Sequence, residues 1–305
     1  MQKCYQLMDG RVCDADPGKG EIMIFLNPSE AEKKFLVDEL KLDEHTLSSA
    51  LDPDELARLE YEPDHIALIF KHPKNYSAAD KFLFRVSSMG LFLFKDKLVI
   101  LAPDELPTFS GKYFSRLTSL RKAMLSMMYR SVFHFIEHLK IINMITDSLE
   151  QKINAAMENK YLLNLFTLEK SLVYYLNAIN SNAMVIEKIK NNAAKFSFDT
   201  DSLEFLDDLI VENSQCFKQA EIYSNILTGL MDARGTIVGN NLNVLMKTLN
   251  IITIAIMVPT FVVSVFSMNV GLPLQNHRLA FWIVMALAII SVVAFLVFWK
   301  RKKWY

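Results

Sequence analysis

The chain has 305 residues, 51% of them hydrophobic and 22% charged, with a formal net charge of −1. A chain of this length buries a core without disulfides, and Cys4, Cys13 and Cys216 form neither a CxxC pair nor a zinc ribbon. The hydrophobicity excludes a disordered protein, and the near-zero charge argues against a nucleic-acid partner.

The N-terminus MQKCYQLMDGR has no basic-then-apolar leader, and the unpaired cysteines suit a reducing compartment. The first 60 residues hold 14 acidic and seven basic residues, a local charge of −7. This reads as a solvated acidic surface or as a field that attracts cations. Strands are expected at 22–27, 65–71, 82–87, 90–95 and 97–102, each short, rich in Phe, Ile, Leu and Val, and bounded by turn formers. Ser29 opens S-E-A-E, a helix start with an acid at the third position, and Asp52-Pro53-Asp54 reads as a second helix start. Residues 1–110 are thus expected to form an α/β domain.

From Ser115 the pattern changes to long helices. Leu117, Leu120, Met124, Met127 and Met128, then Leu162, Leu165, Leu168 and Leu172, recur at 3–4 spacing. A helical region over 111–200 leads to a stalk helix over 201–248, capped by Thr200 or Asp201. No strong break precedes Phe266, so about 65 residues form one rod of roughly 100 Å, with Pro259 as a local kink.

Residues 249–305 are expected to form a transmembrane hairpin. Leu279–Trp299 is 21 residues without a charge, about 31 Å of helix and enough for a bilayer core. Leu249–Ser267 is also uncharged. Lys247 precedes the first helix and Lys300, Arg301, Lys302 and Lys303 follow the second, while the loop between carries only Arg278. The positive-inside rule therefore puts both termini in the cytoplasm of a cell-membrane, multi-pass protein. Trp282, Trp299, Trp304 and Tyr305 read as interfacial anchors.

The first membrane helix carries a polar stripe. On a wheel advancing about 100° per residue from Asn243, Met246, Asn250, Thr253, Met257, Thr260, Ser264 and Met268 fall between roughly 260° and 340°. Leu249 and Ser267 lie at the edge, near about 240°. Such a face reads either as a hydrogen-bonded helix–helix seam or as a pore wall facing a hydrated cation. In a pore, Met246, Leu249 and Met257 would be constrictions. Two helices cannot enclose a channel, so a pore requires an oligomer.

Ser267-Met268-Asn269, within VFSMNVGLP, resembles the Gly-Met-Asn signature of the CorA family of divalent-cation transporters. NVLMKTL (residues 243–249), Pro259-Thr260, the terminal KRKKWY and ALDPDELARLEYEPDHIALIF (residues 50–70) are similar to family segments in the same order. The resemblance implies an α+β membrane protein: a homopentamer with cytoplasmic α/β domains, long helical stalks and two-helix hairpins in the bilayer. Its cargo would be magnesium, possible relatives being cobalt, nickel and zinc, and its activity conduction rather than catalysis. Asn269 would hold the hydrated ion at the outer mouth. Asn243, Met246, Leu249, Asn250, Met257, Thr260 and Ser264 would line the pore, with Ser267 and Met268 beside Asn269. Intracellular magnesium between neighbouring cytoplasmic domains would regulate the pore through Asp208, with Asp207, together with Asp232 and a partner acid, Asp80. Two departures stand out. Ser267 replaces the usual Gly, and the loop Val270–Arg278 has no acid, offering instead Gln275, Asn276, His277 and Arg278.

Two other readings remain. His134-Phe-Ile-Glu137-His138 matches the HxxEH of some zinc proteases. A membrane regulatory protein could also keep the same fold without conducting. Asp16-Pro-Gly-Lys-Gly-Glu21 lacks the second half of a P-loop, so nothing points to energised pumping.

Overall fold

The structure is a computed structural model. It describes residues 2–8, 10–16, 20–106, 109, 114, 117–155, 159–268, 270–271 and 278–301. The chain divides into two compact units, Met1–Met231 and Asp232–Tyr305.

The first unit is built on a seven-stranded mixed sheet. In chain order its strands are β1 (Gln2–Met8), β2 (Arg11–Asp14), β3 (Ile22–Leu26), β4 (Arg58–Tyr61), β5 (His65–Pro73), β6 (Val86–Phe94) and β7 (Leu98–Ala102). The spatial order is β2-β1-β3-β7-β6-β5-β4, with β3 and β7 parallel and every other pair antiparallel. Period-2 alternation feeds two cores. Met23, Phe25, Ala67, Ile69, Val99 and Leu101 point to one, while Ile22, Ile24, Leu68, Phe70, Leu98 and Ile100 point to the other. Both faces are buried, which is why the central strands read as continuous apolar runs.

The helices α1 (Glu30–Asp38) and α2 (Glu44–Leu51) cover the first face. Ser29 caps α1 through a capping box with Glu32, as S-E-A-E predicts. The expected helix start at Asp52-Pro53-Asp54 is not one. Asp43 is the N-cap, accepting from the Thr46 backbone N–H at 2.8 Å, and the helix is already over at Asp52. Pro53 holds Asp52 extended (φ −85°, ψ 118°). The carbonyls that would begin a helix are spent elsewhere. Asp52 O accepts from Ser88 Oγ at 2.6 Å, and Pro53 O and Glu55 O each accept from Lys71 Nζ at 2.6 Å. The expected strands 82–87 and 90–95 likewise resolve into one strand, β6. A Cβ on Gly90 would lie 2.8 Å from Ala50 Cβ, so the glycine lets α2 sit close to the sheet instead of turning the chain.

The second face is covered by α3 (Leu120–Ala155) and α4 (Asn159–Asn191), both packed on β5. A short α5 (Ala193–Phe196) leads to α6 (Thr200–Phe266). The cap of α6 is Asp199, rather than Thr200 or Asp201, and its carboxylate accepts from the Ser202 N–H at 3.0 Å. Within the first unit α6 buries Ser202, Leu206, Leu209, Asn213, Cys216, Ala220 and Leu227. That mostly alternating 4-3 spacing is a coiled-coil seam; Leu227 is its last buried position, Met231 still packs partly against the core, and the helix is exposed throughout from Gly235 to Asn250.

The HxxEH histidines lie in this core. His138 Nδ1 is 2.6 Å from the Tyr175 hydroxyl, and the His134 and His138 rings meet edge to face at 4.4 Å. Glu137 pairs with Arg130 at 3.0 Å instead of facing the histidines. His72 on β5 is also buried, and its charge would oppose that of His134. Burial pushes His72 and His134 down to about 4 and His138 to about 3. Each folded value lies below the ordinary ~6.5, so the unfolded chain binds more protons as pH falls through that window. Stability is therefore full above about pH 6.5 and declines toward pH 4, by up to ~1.4 kcal/mol per pH unit for each histidine. Thermal melts across pH 4–8 should show this fall, and His134→Leu should make it shallower if that variant folds; a melting temperature flat down to pH 4 would contradict it.

Candidate functional site

The second unit contains the remainder of α6 and α7 (Ala280–Arg301), and both helices are long and apolar enough to cross a membrane. Residues of both line one groove, and each helix has a partly shielded, mainly apolar face. On α6 the shielded positions are Ile251, Ala255, Val258, Pro259, Val262 and Phe266. On α7 they include Ile283, Val284, Ala288, Ser291, Val292 and Phe295, again at 3–4 spacing. On the wheel from Asn243, the shielded face of α6 spans about 60–160°, diametrically opposite the polar stripe.

The stripe is therefore open along its length. Asn243, Met246, Leu249, Asn250, Met257, Thr260, Ser264, Ser267 and Met268 are all exposed within the chain, Leu249 at 64% and Met257 at 63%. The hydroxyls are oriented by the helix itself. Thr253 Oγ1 donates to Leu249 O at 2.9 Å, Thr260 Oγ1 to Ile256 O at 2.7 Å, and Ser267 Oγ to Ser264 O at 2.8 Å. With its proton so committed, each oxygen keeps its lone pairs for a water proton. Such a face can accept from the hydration shell of a cation without stripping it. Asn269 lies outside the described residues, as do Gln275, Asn276 and His277.

Of the expected regulatory acids Asp207, Asp208 and Asp232 are exposed and Asp80 is half-buried. Asp207 pairs with Lys190 of α4 at 2.7 Å. Asp208, one residue on, is exposed and has no ion-pair partner among the described residues. From sequence, its neighbours Glu204 and Glu212 stand out only as arbitrary third ligands for the HxxEH histidines. Glu204 and Glu212 stand four residues to either side on α6, so three carboxylates share one helix face, a signal present in the i, i+4 spacing. Asp80 closes a 3-10 turn (Ala78–Asp80), accepting from Ser77 N at 2.8 Å and Ser77 Oγ at 2.7 Å. Those bonds hold its carboxyl below the usual range. Lys81 and Phe82 follow in the left-handed region, at φ 49° and 69°. Asp232 belongs to the second unit and is exposed. Among the described residues, no three His, Cys, Asp or Glu side chains converge on a point where one chain could hold a metal.

A profile of the family described as CorA-like Mg2+ transporter protein matches residues 22–302. The chain belongs to this family. The match spans β3 to β7 of the sheet, the long helices and both membrane segments, as the Ser-Met-Asn resemblance implies. Family members are transporters, so the protein is a membrane transporter and not an enzyme, and HxxEH here is a core motif rather than a zinc site. The cobalt/magnesium transport protein CorA of Methanocaldococcus jannaschii is 25% identical over 297 residues, covering 91% of this chain and 89% of that one. The complete structure of the CorA magnesium transporter from the same organism superposes with a TM-score of 0.80 at 20% identity, covering 100% of this chain and 98% of the other. The full-length CmaX protein shares the fold at a TM-score of 0.72 and 14% identity, with coverage of 99% and 97%.

The opposition of the two faces of α6 can be tested chemically. With exposed Cys13 replaced by Ser, cysteines at Met257, Thr260 and Ser264 should react with a charged thiol reagent in the intact membrane protein. Cysteines at Ile251, Ala255 and Val262 should resist it. Equal labelling of both sets, read by mass shift, would rule out the arrangement.

Proposed function

We propose that the chain assembles as a homopentamer in the cell membrane and conducts magnesium into the cytoplasm, with both termini on the cytoplasmic side. The observation that carries this reading is the open polar stripe opposite the α7 face. Five such stripes around an axis would satisfy one another's need to avoid lipid and would enclose a hydrated path. Asn243, Met246, Leu249, Asn250, Met257, Thr260 and Ser264 then line the path. Ser267, Met268 and Asn269 form its outer mouth. Asp232 is the last acid in the sequence, so the path meets the ion with neutral oxygens. This suits magnesium, which keeps its water shell and is costly to dehydrate. Positive residues beyond both helix ends and only Arg278 between them support the orientation.

Regulation follows from the acids. Asp208 is the free carboxylate, Asp207 must first give up Lys190, and Glu204 and Glu212 add to the field around Asp208. Magnesium bound between this face and a neighbouring subunit, with Asp80 as partner acid, would screen that repulsion and hold the pore closed. Loss of magnesium would release it. Asp232 would add a lower ring of charge at the entry to the path.

Flux into liposomes tests the pore. Asn269→Ala should lower magnesium uptake about tenfold or more, as expected when charge-assisted hydrogen bonds at the mouth are lost. Flux of zinc, cobalt or nickel without magnesium would keep the pathway and change its cargo. A folded pentamer that passes no ion would favour the non-conducting reading, which the acid-free outer loop supports. For regulation, Asp208→Asn should weaken the protection that millimolar magnesium gives against limited proteolysis and raise flux at high internal magnesium. Unchanged protection in Asp208→Asn would remove that residue from the regulatory site.

A further inference from the structure

Between α6 and α7 lies a groove of about 370 Å³ that shares only Asn250 with the proposed pathway. Lys247, Ile251 and Ile254 of α6 and Phe295, Phe298 and Trp299 of α7 form its walls. Asn250 and Thr253 mark its boundary with the polar stripe. The groove thus brings the start of the first membrane helix and the end of the second to one membrane face. Lys300 and Arg301 follow Trp299 on that face. Its floor is aliphatic and aromatic, while its rim carries the Lys247 ammonium, exposed and without an ion-pair partner among the described residues.

The charge of Lys247 narrows the choice of occupant. No Asp or Glu occurs after Asp232, whereas Arg234, Lys247, Arg278, Lys300, Arg301, Lys302 and Lys303 all do. The membrane unit of a second copy can offer apolar side chains to the groove but no side-chain anion to its lysine. A phospholipid offers both parts. An acyl chain fits the apolar walls, and a headgroup phosphate meets a lysine and an indole at the interface, where basic pockets between membrane helices select anionic headgroups. The volume falls within the usual range for ligand sites, about 300–1,000 Å³.

We propose that this groove is a site for an anionic phospholipid, with Lys247 as the headgroup contact and Phe295 and Phe298 as the acyl-chain contacts. The site borders Asn250 and Thr253, so its occupancy reaches the edge of the ion path without lying in it.

The test reads lipid contact and not conduction, so failure of the transport reading leaves it intact. Trp282→Phe and Trp304→Phe leave Trp299 as the single fluorophore. The full chain is reconstituted in mixed phosphatidylcholine and phosphatidylglycerol vesicles with one or the other lipid brominated. Brominated phosphatidylglycerol should quench Trp299 more strongly at equal mole fraction, with an apparent preference of about fivefold for one lysine near an anionic headgroup. Lys247→Gln should remove the preference and Lys247→Arg should keep it. Lys300→Gln with Arg301→Gln should leave most of it, since the tail lies outside the groove. Circular dichroism and elution volume establish that each variant folds and assembles as the parent does. Equal quenching by both lipids, or a preference that survives Lys247→Gln, would overturn the proposal. Absence of quenching by either lipid would mean that a second copy covers the groove, and would overturn it too.

Discussion

A polar face on a membrane helix cannot be left against hydrocarbon, and in this protein α7 does not cover it. Ile251, Ala255, Val258 and Val262 form the partly shielded face of α6, and Thr260 and Ser264 lie exposed on the opposite one. Had α7 packed on the stripe, the hydroxyls would have been spent in a seam and the hairpin would be complete alone. The hairpin instead resembles half of a structure whose other half is more copies of itself. The oligomer proposed above answers that requirement, and the family membership sets it among transporters.

The first unit solves a different problem, which is to give α6 a fixed footing. A sheet buried on both faces supports α3 and α4, and α6 meets them through Phe205 stacked on Tyr129, Asp207 paired with Lys190 and Asn213 bonded to Ile179. The polar members of the core are tied into this footing. Asn213 Nδ2 donates to Ile179 O at 3.1 Å, Ser181 Oγ accepts from the Ala57 N–H at 2.7 Å, and Asn182 accepts from Lys71 N and donates to Lys71 O. Each such bond links a helix to a neighbour at a specified register, since a buried polar atom without its partner is costly.

Much of the architecture was legible in the sequence because the relevant patterns are long. Two uncharged runs and a helix without breaks need no neighbours to be recognised, and the polar stripe is a property of one helix. Tertiary context decided what was missed. Arg58–Tyr61 is a strand because β5 pairs with it, though RLEY has no apolar run. Gln2–Met8 and Arg11–Asp14 sit at the other edge of the sheet, where polar residues are tolerated and the signal is weak. Asp52-Pro53-Asp54 has the composition of a helix start, but Lys71 and Ser88, distant in sequence, claim the carbonyls of Pro53 and Asp52. The HxxEH spacing places two histidines on one helix face, as expected, yet Tyr175 on another helix determines what they do. Asp207 and Asp208 are equivalent as letters and differ only because Lys190 reaches one of them.

The absence of acids after Asp232 affects more than the binding of metal ions. The two spanning segments contain no carboxylate or imidazole, and hence no group able to take up and hand on a proton near neutrality. A path of the kind proposed above would be lined by hydroxyls, amides and thioethers, with no titrating side chain in either spanning segment. Acidity acts on the first unit through the histidines beneath the sheet, and so on its stability.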